Sequence, residues 1–168
     1  MKLHEKPMVR AAVMAALIAV MTSFVKVYTG INNGYVHFGD AVVYLAACLL
    51  PRPYAMAAAA IGGGLADCLA GVPMWAIPTA IIKAMNTLPF TSRGSSILCP
   101  RNAVMSVGSG VVTVLGYLAV ESLLYSPAAA VLSVPFSLVQ AGGSAVLFLI
   151  AAFAMDRIHL KSRLLKGE

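Results

Sequence analysis

The sequence has 168 residues, of which 60% are hydrophobic and 11% are charged, with a formal net charge of +6. Soluble domains carry about 25% charged residues, so this composition excludes a soluble domain and indicates an integral membrane protein. The length allows about six spans of roughly 20 residues each, with almost nothing left outside the bilayer. We therefore predict a single all-α membrane domain over residues 1–168, with six transmembrane helices.

The six predicted helices are apolar windows that lie between turn signals. In chain order, they cover residues 8–27, 35–50, 54–70, 74–91, 103–125 and 134–155. The first window follows basic residues, as in a secretory signal, but its length and Lys26 near its far end favour a retained helix. The second and third are short for full spans, and Pro51-Arg52-Pro53 between them also fits a re-entrant hairpin. We prefer two tilted spans.

Positive charges in the predicted loops give the orientation, because Lys and Arg near span ends mark cytoplasmic loops. The flanking charges are Lys2, Lys6, Arg10, Arg52, Arg93, Arg101, Arg157, Lys161, Arg163 and Lys166. They precede the first span, follow the sixth, or lie in the second–third and fourth–fifth loops, so both termini are predicted to be cytoplasmic. Because they are split among four short segments with no aromatic platform, we expect contact with the lipid bilayer and no nucleic-acid partner.

No motif in the sequence predicts catalysis or a bound cofactor. Cys48, Cys68 and Cys99 have no ligand-like spacing, so we expect them to be small buried side chains. The sequence contains no phosphate-binding loop, nucleotide fingerprint, metal motif or Ser-His-Asp pattern. We therefore predict a protein that is not an enzyme, hydrolyses no ATP itself and requires no cofactor or metal.

Polar side chains inside the apolar windows mark the candidate site, since burying a charge in the bilayer is costly. A rise of about 1.5 Å per residue places them in the outer half of the bilayer. They are Asp40, Asp67, Lys83, Asn86, Glu121 and Gln140. The inner half lacks a polar conduit, which argues against a channel or an ion-coupled antiporter. The pattern favours a cup that captures a small polar molecule from outside.

Each of these groups also has a purely structural interpretation. Asp40 can cap the second span and Asp67 can join helices, and we predict structural roles for both. Lys83 can contact a ligand or form an ion pair with Asp67 or Asp40. Asn86 and Gln140 can bind an amide, a hydroxyl or a ring nitrogen, or they can only join helices.

The first outer loop supplies further candidates. Asn33, Tyr35 and His37 can form a lid over the cup, although turn chemistry alone explains Asn32-Asn33-Gly34. Trp75 is either a residue of the interfacial aromatic belt or a stacking platform for a ligand. The predicted substrate-binding set is Asn33, Tyr35, His37, Trp75, Lys83, Asn86, Glu121 and Gln140.

The motifs within residues 34–83 resemble those of the substrate-binding S components of energy-coupling factor transporters. They are Tyr35-x-His37-x-Gly39-Asp40, a second carboxylate at Asp67, and Pro78-x-x-x-x-Lys83. The length, six spans and an early Gln in the last span extend the resemblance over nearly the whole chain, to a group that includes riboflavin, pantothenate and hydroxymethylpyrimidine S components. The family often has an Asn shortly before that Gln, whereas this chain has Ser137-Leu138-Val139, so the resemblance does not identify the ligand.

The resemblance implies a division of labour between subunits. An S component captures a small water-soluble vitamin or vitamin precursor at an outward-facing cavity. It then docks on a membrane T subunit, and two cytosolic ATPase subunits drive release inside. The resemblance also implies a multi-pass protein of the bacterial plasma membrane.

Small residues on the first helix provide the docking face in this family. The corresponding residues here are Ala11, Ala12, Ala15, Ala16 and Ala19, which recur every four residues in two series. Ordinary packing within the chain is the alternative role for this face. For the chain as a whole, the alternatives are a self-sufficient secondary carrier, a small membrane-embedded enzyme and a structural scaffold.

Overall fold

The computed structural model describes residues 7–32 and 34–166. In chain order, its elements are α1 (Pro7–Phe24), β1 (Lys26–Tyr28), β2 (Tyr35–His37), α2 (Asp40–Leu49), α3 (Arg52–Leu69), a 3₁₀ turn (Pro73–Trp75), α4 (Ala76–Thr87), α5 (Pro100–Leu124), α6 (Pro127–Arg157) and α7 (Leu160–Lys166). The prediction of a mainly helical protein is confirmed. The short β-hairpin is an addition to the predicted all-α architecture.

The hairpin replaces the predicted start of the second span. Residues 35–37 were assigned to a helix over 35–50, but Tyr35–His37 pairs antiparallel with Lys26–Tyr28, and the helix begins only at Asp40. Both strands are rich in Val and Tyr, which favour extended backbone. The chain reverses between them through Gly30 and Asn32, which have φ angles of +73° and +52°. We call this side of the bundle the hairpin end.

Within the described residues, three helices, α1, α5 and α6, are long and apolar enough to cross a membrane by length and composition. The helix α2 is apolar but has only ten residues, and α4 has twelve. At about 1.5 Å per residue, such helices are shorter than a hydrocarbon layer of about 30 Å. The six-span count and the cytoplasmic position of both termini therefore stay predictions.

Proline lies at or next to the start of several helices. It occupies the first or second position of α3, α5 and α6, where its missing N–H would have no helical partner. The helix α6 is also capped by Ser126, whose side chain accepts a hydrogen bond from the Ala129 N–H at 3.2 Å. Its 31 residues span about 46 Å, which exceeds the hydrocarbon thickness. Tilt or extension beyond the apolar layer accommodates this length.

Glycines of α3 allow close packing against α1 and α4. A Cβ atom at Gly62 would lie 2.6 Å from the carbonyl oxygen of Ala15. A Cβ atom at Gly63 would lie 2.9 Å from Cγ of Lys83. Since neither position can hold a larger side chain without a shift, these glycines allow α3 to pack closely on both neighbours. The second one also makes room for a lysine in the interior.

The loop between α4 and α5 lies at the other side of the bundle, which we call the loop end. Tyr44 of α2 stacks on Phe90 with ring centroids 5.1 Å apart, and Phe148 of α6 meets Phe90 edge-on at 5.6 Å. Asp156 fixes the same loop, because its carboxylate accepts hydrogen bonds from the backbone N–H groups of Ile97 and Leu98 at 2.8 and 2.7 Å. The loop end is thus anchored to α6.

Candidate functional site

A cavity of about 550 Å³, including its open mouth, lies at the hairpin end. Its lining comes from the hairpin, the 3₁₀ turn and the helices α3 to α6, and consists of Thr29, Ile31, Gly34, Tyr35, Val36, His37, Asp67, Trp75, Thr79, Tyr117, Glu121, Ser133, Phe136, Ser137 and Gln140. Five of the predicted substrate-binding residues line it, namely Tyr35, His37, Trp75, Glu121 and Gln140.

A buried ion pair supports the floor of the cavity. Lys83 Nζ lies 2.5 Å from Asp40 Oδ1, and both side chains have no exposed surface. The other carboxylate oxygen of Asp40 accepts a hydrogen bond from Gln140 Nε2 at 3.0 Å. Gln140 in turn accepts the His37 backbone N–H at 3.4 Å. Lys83 is therefore engaged with Asp40 beneath the cavity and does not line it.

One ring nitrogen of His37 accepts a hydrogen bond from the backbone. Its Nδ1 accepts the Gly39 N–H at 3.0 Å, so the neutral ring carries its proton on Nε2. The side chain is only 3% exposed, yet it lines the cavity. The ring therefore offers a hydrogen-bond donor near the floor.

Aromatic rings form much of the wall. Trp75, which is 5% exposed, lies 5.9 Å from the Tyr117 ring and stacks on Tyr125 at 6.3 Å between centroids. Its indole Nε1 has no hydrogen-bond partner among the residues that the structure describes. Tyr117 also exchanges a hydrogen bond with Thr79 at 3.2 Å. This wall can stack against a flat ring while a polar edge stays available.

Asp67 ties the hairpin to α3. Its Oδ1 accepts a hydrogen bond from the Tyr35 hydroxyl at 2.6 Å, and Tyr35 also packs on His37 with ring centroids 5.6 Å apart. Asp67 therefore has a different partner from Asp40, although the sequence left both carboxylates open as partners for Lys83. This contact holds β2 over the cavity.

Glu121 organises the rim. Its Oε2 accepts hydrogen bonds from Asn32 Nδ2 at 2.7 Å and from the Ser133 hydroxyl at 2.5 Å. The Tyr125 hydroxyl donates to the carbonyl oxygen of Asn32 at 2.9 Å. The hairpin turn is thereby held against α5 and α6. Asn33, which was predicted to contact substrate, lies outside the described residues.

Asn86 lies away from the cavity and joins two helices. It has no exposed surface, and its Nδ2 donates to Thr113 Oγ1 at 2.7 Å. Its backbone carbonyl oxygen accepts a hydrogen bond from the Ser109 hydroxyl at 2.9 Å. Of the two roles that the sequence left open for Asn86, the geometry supports the joining of α4 to α5.

Sequence reasoning missed several lining residues, although helical spacing pointed to them. Tyr117 precedes Glu121 by four residues and Thr79 precedes Lys83 by four, so each pair shares one helix face. The same rule links the α6 residues Ser133, Phe136, Ser137 and Gln140, which repeat at three- and four-residue intervals. A search for companions of each polar residue would have found them.

The alanines of α1 divide into two groups. Ala11, Ala15 and Ala19 are buried, and Ala15 meets Gly62 of α3. Ala12 and Ala16 are exposed. The first series therefore packs inside the chain, and only the second presents small residues on the surface.

Among residues 7–32 and 34–166, no three His, Cys, Asp or Glu side chains converge as a metal ion would need.

The structure is a helical bundle that has three helices long and apolar enough to cross a membrane and a cavity at its hairpin end. A family model described as "ECF-type riboflavin transporter, S component" matches residues 2–157. The chain therefore belongs to this family of transporter substrate-binding subunits, which are not enzymes, and the resemblance seen in the motifs is confirmed.

A relative from Pyrococcus woesei is similar over most of its length. This protein, described as "Uncharacterized protein in gap 3'region", is 33% identical over 126 residues. The match covers 74% of the present chain and 84% of the relative. The description of this relative states no function.

Proposed function

We propose that this chain captures a small water-soluble vitamin or vitamin precursor that carries a flat heteroaromatic ring. The observation that carries the proposal is the cavity wall formed by Trp75, Tyr117 and Phe136, with Gln140 and His37 at the polar floor. Flat rings stack on aromatic faces, while a few placed polar groups set their orientation. Riboflavin, which appears in the description of the family model, is the first compound to test.

Six of the lining residues have distinct roles in this proposal. Trp75 and Tyr117 stack on the ring, and the His37 Nε2–H and the Gln140 amide bind its polar edge. Glu121 accepts a hydrogen bond from a ligand hydroxyl near the mouth. The proposal also keeps Tyr35 and Asn33 as residues of a lid over the cavity.

Lys83 acts through its neighbours rather than by direct contact. It neutralises Asp40, whose second oxygen holds the Gln140 side chain in place. Asn86 fixes α4 against α5, and Asp67 holds the lid through Tyr35. These four polar groups thus position the binding surface.

Delivery of the ligand requires partner subunits in this proposal. The chain docks through the exposed Ala12 and Ala16 of α1 on a membrane T subunit, while Ala11, Ala15 and Ala19 hold α1 against α3. Small side chains allow a partner helix to approach closely. Two cytosolic ATPases then supply the energy for release across the bacterial plasma membrane, with both termini of this chain on the cytoplasmic side.

Tryptophan fluorescence tests the capture step directly, because Trp75 is the only tryptophan in the sequence. Titration of the purified protein with riboflavin and other heteroaromatic vitamins should quench this emission with saturation at one ligand per chain. Tyr117→Leu should weaken binding about tenfold, since it removes one stacking face. Tyr54→Leu, at an exposed position of the loop end, is the matched control and should bind normally. Equal effects of both substitutions would contradict the assignment of the cavity.

Uptake measurements test the delivery step separately. Vesicles that contain this chain with T and ATPase subunits should accumulate the ligand only when ATP is present. Accumulation by the chain alone in ATP-depleted vesicles would instead support a secondary carrier.

A further inference from the structure

A second cavity lies at the loop end, on the side opposite the vitamin site. It measures about 1010 Å³ including its mouth, and it is lined by Ala47, Pro51, Arg52, Ala55, Thr87, Phe90, Thr91, Ser92, Arg93 and Arg101. Three of these residues are arginines that come from three separate segments: the start of α3, the α4–α5 loop and the start of α5. We call this cavity the arginine cleft.

The arginine cleft carries positive charge without a balancing carboxylate. Four acidic residues belong to the described part of the chain, and none of them lines the cleft. Asp40, Asp67 and Glu121 belong to the vitamin site. Asp156 is engaged with the backbone of residues 97 and 98. An anion entering the cleft would therefore meet no competing negative side chain among the described residues.

Two helix N-termini add to this positive potential. The helices α3 and α5 begin at Arg52 and Pro100, and neither has a side-chain hydrogen bond that caps it. Unpaired N–H groups and the helix dipole make such ends favourable places for anions. A preference for basic residues in cytoplasmic loops accounts for arginines on this face, but not for their convergence in one cleft beside two uncapped helices.

The walls of the cleft are held in place before any ligand arrives. Arg101 Nε donates to the Pro89 carbonyl oxygen at 3.0 Å, which orients the guanidinium and leaves its terminal nitrogens for another acceptor. Buried Asn102 accepts the Thr91 N–H at 2.9 Å and donates to the Thr91 carbonyl oxygen at 3.0 Å. The loop that carries Arg93 is thus fixed to the start of α5.

We propose that the arginine cleft binds a phosphate group. Guanidinium groups form paired hydrogen bonds with phosphate oxygens, and the hydroxyls of Thr87, Thr91 and Ser92 supply further polar contacts at the lining. The phosphate belongs either to an anionic lipid head group of the adjacent leaflet or to a soluble phosphate ester. In both cases the ligand is chemically distinct from the vitamin that we assign to the hairpin end.

The test uses the full chain in nanodiscs, with two arms that separate the sources. In the first arm, native mass spectrometry compares retention of phosphatidylglycerol with that of phosphatidylcholine. In the second arm, inorganic phosphate is titrated against chloride at equal ionic strength in phosphatidylcholine nanodiscs, and thermal stability is measured. Retention of phosphatidylglycerol alone identifies a lipid site, whereas stabilisation by phosphate identifies a site open to soluble esters.

Substitutions decide whether the cleft is responsible. Arg52→Gln and Arg93→Gln should each weaken phosphate or phosphatidylglycerol binding about tenfold, which is the scale of one charge-assisted hydrogen bond. Both side chains are exposed, so folding should survive. Arg163→Gln on α7 is the matched control, because this exposed arginine does not line the cleft. Binding of neither probe, or an equal loss in the control, would overturn the proposal.

Discussion

The buried pair of Lys83 and Asp40 gives the sharpest prediction about stability. Lys83→Met keeps most of the stem volume but leaves the Asp40 carboxylate buried without its partner. Removal of one member of a buried ion pair costs about 3 to 5 kcal/mol. We therefore expect the free energy of unfolding of the single variant to fall by that amount in detergent. Thermal and chemical unfolding of the purified protein measure the change.

The double variant Lys83→Met with Asp40→Asn should recover much of this loss. Asn keeps an oxygen that can accept the Gln140 amide hydrogen bond, while the uncompensated charge disappears. The control is Lys83→Met with Asp67→Asn, which should give no rescue because Asp67 accepts its hydrogen bond from Tyr35. Unchanged stability in the single variant, together with a loss of vitamin affinity, would refute this reasoning and make Lys83 a direct ligand contact.

Three further predictions test packing, topology and docking. Gly62→Ala should destabilise the protein by about 1 to 3 kcal/mol, because the new Cβ meets the backbone of α1. Gly142→Ala is the control, because a Cβ there has open space and should not change stability. Equal unfolding curves for the two variants would contradict the packing of α3 on α1. A cysteine introduced at Ala129 should react with an impermeant reagent added from outside, whereas one introduced at Ser95 should not. Labelling at Ser95 would contradict the six-span topology. Ala16→Leu should prevent co-purification with a T subunit while vitamin affinity is unchanged, and an intact complex would exclude this face from docking.

The sequence predicted the polar residues of the site because charge and amide groups are conspicuous in apolar helices. Asp40, Lys83 and Gln140 were all identified in this way, and they form one network. The choice of Asp40 over Asp67 as the partner of Lys83 was beyond the sequence. It depends on how α2, α3 and α4 are placed against one another, and both carboxylates lie at similar predicted depths.

The hairpin was missed for a different reason. Each of its strands has only three residues, which is too short to show alternation of polar and apolar side chains. Its Val and Tyr residues also blend into the neighbouring apolar windows. Tyr117 and Thr79 were overlooked because a single hydroxyl in an apolar helix is inexpensive to bury when it finds a partner, and so does not stand out.

The central claim is that the cavity at the hairpin end captures a small heteroaromatic vitamin. Native mass spectrometry of the protein purified from its own host tests this claim most directly, because a tightly captured ligand should remain bound. We predict one small-molecule adduct per chain, which is lost in Trp75→Ala and retained in Tyr54→Leu. An adduct that survives Trp75→Ala, or a wild-type protein without any adduct that also binds no added vitamin, would contradict the account.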